Sequence, residues 1–174
     1  FDRLSQQTEL KYVCDRSNLL HNDCPEAAKM ITIVSPQTRD DFKAYYALRY
    51  RILREPWGQT RGTEKDDYEP ISSHFMAVDD ESCDVIGVVK VFEREPGVGW
   101  LSHLAVHEQR QRQGIGRQLV QTVEEDARRQ GFKVLGAMSR LNTTEYFEQL
   151  GYRITGMPTA YFSTTQVVWM EKSL

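Results

Sequence analysis

Apolar and polar residues alternate over "MITIVS" (30–35), the period-two pattern of a short strand. Over "TRDDFKAYYALRYRILRE" (38–55) the apolar positions Phe42, Tyr45, Tyr46, Leu48, Ile52 and Leu53 fall at largely helical spacing, with Thr38 or Asp40 as N-cap and Pro56 as terminator. The segment 56–73 is rich in Gly, Pro and acid, too polar for a core, and reads as a long loop or a loop with one short helix. Three strands follow, 74–80, 85–95 and 100–106, joined by the turns "DDESCD" and "EPGVG", so an antiparallel meander is expected. "RQLVQTVEEDARRQG" sets Leu119, Val120, Val123 and Ala127 on one helix face and stops at Gly131. A strand at 132–138, a short helix at 143–152 capped by Thr143 or Thr144, and a strand at 165–172 close the chain. A strand, a helix and a strand in succession predict a crossover to a parallel neighbour.

At 174 residues, with 40% hydrophobic and 27% charged residues, the chain is long enough to bury one core and too apolar to be disordered. A net charge of -3 gives no electrostatic reason to expect nucleic acid, and no apolar run approaches the ~20 residues that span a bilayer. The default expectation is a cytoplasmic protein. Cys14, Cys24 and Cys83 match no disulfide framework and, with His21, no common zinc spacing; scattered free thiols and no metal are expected. The sequence starts at Phe1 and a natural-looking start stands at Met30, so residues 1–29 are read as an extension of unknown role ahead of a domain over 30–174.

The chemistry concentrates at "HEQRQRQGIGRQLV" (107–120), where two glycines stand at a helix N-terminus. They make either a cheap turn or an anion site, since a helix N-terminus presents unpaired N–H groups and a positive dipole end. A Rossmann fingerprint and a P-loop are both missing. What stands there is Q-x-x-G-x-G, from Gln111 to Gly116.

Leu104-Ala105-Val106, then Gln111-Arg112-Gln113-Gly114-Ile115-Gly116, then a helix from Arg117, resembles the central motif of the GNAT acetyltransferase superfamily. "YFEQLGYRITG" resembles its second signature, and residues 47–92 resemble a branch of predicted N-acyltransferases. The resemblance implies an α/β fold with a mixed, mostly antiparallel sheet and a splayed parallel strand pair. It implies acetyl-CoA as acyl donor, held by Leu104, Ala105, Val106, Gln111, Arg112, Gln113, Gly114, Ile115, Gly116, Arg117, Asn142 and Phe147. Physically, glycine at 114 and 116 removes Cβ atoms from a phosphate's path. The implied reaction moves an acetyl group to a primary amine of a small molecule or peptide, with no nucleic acid or membrane partner; a homodimer is left open.

The catalytic candidates are the Leu104 backbone N–H for the developing oxyanion, and Ser102, His103 and Tyr146. Phe147 occupies the position of the family's proton-donating Tyr, and Tyr146 points about 100° away on a helix. Strand alternation puts Ser102, not His103, on the face of Leu104 and Trp100 unless a bulge intervenes. A structural or exposed role is the alternative for His74, His103 and His107. The acids Glu64, Asp66, Asp67 and Glu69 draw in a cationic amine or form a solvated loop. Tyr45, Tyr46, Tyr50 and Trp57 wall an acceptor pocket or belong to the core, and Arg49 and Arg51 are candidate ion-pair partners. A longer acyl donor, as in acyl-homoserine lactone synthases, and a non-catalytic acyl-CoA-binding module are the competing functions.

Overall fold

The structure, a computed structural model, describes residues 31–161 and 165–174. Strand β1 (Ile31–Val34) leads into helix α1 (Arg39–Leu53). Thr38 caps that helix: its side chain accepts from the Asp41 N–H while the Asp41 carboxylate accepts from the Thr38 N–H, a reciprocal capping box. The helix stops before Pro56, which lies in a separate 3-10 turn (Glu55–Trp57), and a second such turn covers Glu69–Ile71. The meander is β2 (Ser73–Asp79), β3 (Val85–Glu95) and β4 (Val98–Val106). Helix α2 (Ile115–Arg129), β5 (Val134–Arg140), α3 (Thr144–Glu148) and β8 (Thr165–Ser173) follow the expected order. Two short strands went unread, β6 (Arg153–Ile154) and β7 (Thr159–Tyr161). Both pair only with β8, and two or three residues are too few to show a period.

The sheet runs β1-β2-β3-β4-β5-β8-β6, with β7 also on β8, and is antiparallel except for the β4–β5 pair. Helix α2 covers one face through Ile115, Leu119, Val120, Val123 and Ala127, packed on Val89, Val91 and Leu101. Helix α1 covers the other through Tyr45 and Leu48, packed on Met76, Val88 and Ala105. Covered on both sides, β3 is continuously buried from Ile86 to Phe92 rather than alternating, and apolar there except for Lys90.

Cys83, in the β2–β3 turn, is disulfide-bonded, which overturns the expectation of a free thiol there: separation along a chain does not measure separation in space. Cys14, His21 and Cys24, with the rest of 1–29, lie outside the described residues. No described helix is long and apolar enough to cross a membrane.

Candidate active site

The site begins where β4 and β5 part. Their parallel register runs from Val98↔Val134 to Leu101↔Ala137 and ends there, while β5 stays paired with β8 as far as Arg140↔Val167. From Ser102 onward β4 pairs only with β3. On that side Lys90 faces Ser102 and Val88 faces Ala105, so Val89 alone opposes His103 and Leu104. This is a β-bulge, and His103 sits in it at φ 55. The extra residue overturns the strict alternation: Leu104 packs toward the α2 face and Ala105 toward α1, whereas Lys90, opposite Ser102, stands two residues from Val88 and so shares its α1 face. Ser102 and Leu104 therefore do not share a face.

Between the parted strands lies a cleft of about 490 Å³, lined among others by Ser102, His103, Leu104, Tyr146 and Phe147. Leu53 and Arg54 from the end of α1, Asp66 from the loop, and Met138, Arg140 and Tyr161 close its other walls. Among the described residues, Asp66 is the single carboxylate that lines it.

Helix α2 opens beside this cleft without a capping side chain and without an acid in its first turn. Its N-cap is Gly114 at φ 81, a left-handed conformation that suits glycine. The first-turn N–H groups thus keep their dipole end for an outside acceptor. Gly116 is needed for a different reason: a Cβ there would stand 2.8 Å from the hydroxyl of Tyr146. That hydroxyl is buried with no hydrogen-bond partner, and burial pushes it up to about 12, opposed by the charge of Arg117. An uncapped helix, a cradle that a side chain would fill and an orphaned donor together fit a diphosphate-bearing ligand.

Elsewhere in the motif, the Gln111 side chain donates to the Val106 carbonyl at 3.1 Å and that of Gln113 to the Gln109 carbonyl at 3.2 Å. Ile115 is a core residue, Arg112 is exposed at φ 61, and Arg110 is paired with Asp79. Asn142 is exposed in the 3-10 turn before α3 and does not line the cleft; Phe147 is buried and does.

Of the loop acids Asp67 is exposed, whereas Glu64 is buried and accepts from the Gly62 N–H at 2.6 Å, and Asp66 and Glu69 turn inward. Glu69 accepts from Arg49 at 2.7 and 3.3 Å, from Lys90 at 2.9 Å and from the Tyr46 hydroxyl at 2.9 Å. Burial pushes its carboxyl up, but the hydrogen bonds and charges of Arg49 and Lys90 outweigh that and hold it at about 2. Lys90 and Arg49 are fully buried, and Lys90 also binds the Asp66 carboxylate. The sequence did carry a signal for this cluster: a lysine inside the run "VIGVVKVF" requires a buried partner. Arg51, by contrast, pairs with Glu108 at 3.3 Å on the surface.

The cluster fixes His103. Burial, then the charges of Arg49, Arg54 and Lys90, drive its ring down to about 2, so it is neutral. Arg54 can only donate, so His103 Nε2 accepts from it at 3.1 Å. The ring proton then sits on Nδ1, 2.7 Å from Ser102 Oγ and 3.8 Å from Asp66 Oδ2. His74, lowered chiefly by burial, meets the Glu69 carbonyl at 3.2 Å, and His107 meets Arg51. Tyr45 is core and Tyr50 donates to the Gln59 carbonyl; neither they nor Tyr46 line the cleft.

A mixed sheet parted at its one parallel seam, with an uncapped, glycine-lined helix start beside it, is the architecture of an acyl-CoA-dependent N-acyltransferase. A sequence model of the acetyltransferase (GNAT) family matches residues 40–152, and the chain belongs to that family. It is an N-acetyltransferase whose acyl donor is acetyl-CoA. The fold is similar to that of a GNAT acetyltransferase from Elizabethkingia anophelis with acetyl-CoA bound (19% identity, TM-score 0.66, covering 83% of this chain and 98% of that one). It is similar to an aminoglycoside 6'-N-acetyltransferase complexed with coenzyme A (18%, TM-score 0.69, 83% and 96%). It also resembles the ribosomal-protein-S18-alanine N-acetyltransferase of Escherichia coli (18%, TM-score 0.65, 83% and 94%).

Proposed function

We propose that the chain acetylates a primary amine by direct attack of the amine on the thioester, in the cleft between β4 and β5. The observation that carries this reading is the end of β4–β5 pairing at Leu101–Ala137, which leaves strand edges free above a bulge. Acetyl-CoA supplies the acyl thioester. Gln113 to Arg117 would hold its diphosphate, with the pantetheine arm along the free edge of Leu104 to Val106. The Leu104 N–H, in the bulge, is the donor for charge developing on the carbonyl oxygen.

The amine arrives protonated, since an alkyl amine has a pKa near ~10.4. Asp66 favours its approach. His103 does not take the proton: its Nε2 is occupied by Arg54 and its ring resists protonation. Water accepts it instead. The amine nitrogen forms the new C–N bond, the C–S bond breaks, and the thiolate departs. A thiol of pKa near ~8.5 is a tolerable leaving group without an acid. Phe147 therefore does not bar turnover, and Tyr146, against the first turn of α2, serves the donor's binding.

Titration calorimetry with acetyl-CoA, alongside a Gly116→Trp variant, tests the donor site. Micromolar binding that the variant loses supports it, and amine-dependent release of free thiol then supports transfer. No binding by the unmodified protein overturns the reading, and binding without turnover across an amine panel points to a binding module.

A further inference from the structure

Arg140 ends β5 on the wall of the cleft, half-buried, with its guanidinium 4.6 Å from the ring centre of Trp57. Among the described residues, the charged and titratable groups that act on it are Tyr161 and the guanidinium of Arg54, with no carboxylate between them. Among the described residues it makes no ion pair, unlike Arg49, Arg51 and Arg110, each of which meets an acid. A half-buried guanidinium that meets no anion keeps its donors for one that enters the cleft, and burial depresses its basicity. The indole N–H of Trp57 is likewise buried without a partner. A planar fork laid over an aromatic ring is held in one orientation, ready for a two-oxygen acceptor.

We infer that Arg140 binds a carboxylate of the acceptor, so that the amine acetylated here belongs to a small aminocarboxylate, a free amino acid or a close relative. The inference rests on the transfer reading above. The cleft then offers one group to each end of a zwitterion: Asp66 Oδ2, the oxygen that Lys90 does not take, for the ammonium and Arg140 for the carboxylate. An amine without a carboxylate would leave the guanidinium unanswered in the filled cleft, and that cost provides the discrimination.

The test uses matched trios: phenylalanine, phenylalaninamide and 2-phenylethylamine, then leucine, leucinamide and isoamylamine. Each is assayed for acetyl-CoA-dependent thiol release, with acetyl-CoA affinity measured separately. The acids should exceed their amides and descarboxy amines by about 10- to 100-fold in kcat/KM, mostly through KM. Arg140→Gln should erase that preference and leave acetyl-CoA affinity within about twofold, and Arg140→Lys should restore part of it. Equal use of acids and amides, no turnover of any acid, or a preference that survives Arg140→Gln overturns the inference. Loss of acetyl-CoA binding in Arg140→Gln overturns it too, by assigning the arginine to the donor. If the unmodified protein acetylates only carboxylate-free amines, the transfer reading stands and this inference alone falls. If it binds no acetyl-CoA, both fall together.

Discussion

The hydroxyl of Tyr146 lies 2.8 Å from the place a Cβ on Gly116 would occupy. The two residues therefore act as one unit, and their substitutions should be coupled. Gly116→Ala should weaken acetyl-CoA binding by about tenfold, because the methyl group forces the ring off the first turn of α2. In a Tyr146→Phe background the oxygen is gone and the added penalty should shrink to about threefold or less. Calorimetry on the four proteins of this cycle measures the coupling; strictly additive losses would show that the close approach carries no weight in binding.

Tyr146→Phe alone separates two roles for the phenol. A donor contact with the bound thioester's carrier predicts a several-fold rise in acetyl-CoA Kd with kcat changed by less than about threefold. A kcat that collapses while Kd holds would instead assign the hydroxyl to proton transfer.

Lys90 is fully buried and answers both Asp66 and Glu69. Lys90→Met should cost about 3–5 kcal/mol in denaturant unfolding, since it strands buried carboxylate charge. Adding Glu69→Gln to that variant should recover part of the loss. A cost under about 1 kcal/mol would mean that the cluster is far better hydrated than its burial implies.

Acid should unfold the protein in two overlapping windows. His103 is held near 2 against an ordinary 6.5, so below about pH 6.5 the unfolded chain takes up a proton that the folded one refuses, and stability falls. Glu69 is also held near 2, against an ordinary 4.5, and its contribution is present above about pH 4.5 and lost as pH falls toward 2. His103→Asn, which suits the left-handed backbone, should flatten the upper slope down to the part that buried His74 contributes, and Glu69→Gln should flatten the lower down to the part that Asp41 contributes. Thermal unfolding from pH 8 to pH 3 reads both slopes. An unchanged slope in His103→Asn would contradict a neutral, buried ring.

The glycine motif was legible because backbone torsion and close approach restrict residue identity locally: Gly114 needs φ 81 and Gly116 needs space beside Tyr146. The three-stranded meander and the amphipathic α2 were legible from period alone. The bulge was not, because alternation assumes one residue per partner, and the two residues opposite Val89 reverse the faces beyond them. The aim of the acidic loop was hidden as well. Its composition says only that it is polar, whereas Arg49 and Lys90, 20 and 21 residues away, decide that Glu69 turns inward. Arg140 lacks any local sign of the role proposed for it, since what distinguishes it is the carboxylate that its described neighbours do not provide.

Among the described residues, strands β1 to β4 and strands β5 to β8 are joined in the sheet by four residue pairs, Val98↔Val134 to Leu101↔Ala137. Mechanically the sheet is two leaves on a short spine. In the proposed complex the donor stands in the gap above that spine, where further backbone pairing would have stood, in effect a removable stitch in the sheet. Occupancy of the gap then adds to the cohesion that the shared core under α2 supplies, and the protein that has released its product is also the protein whose halves are most loosely sewn together.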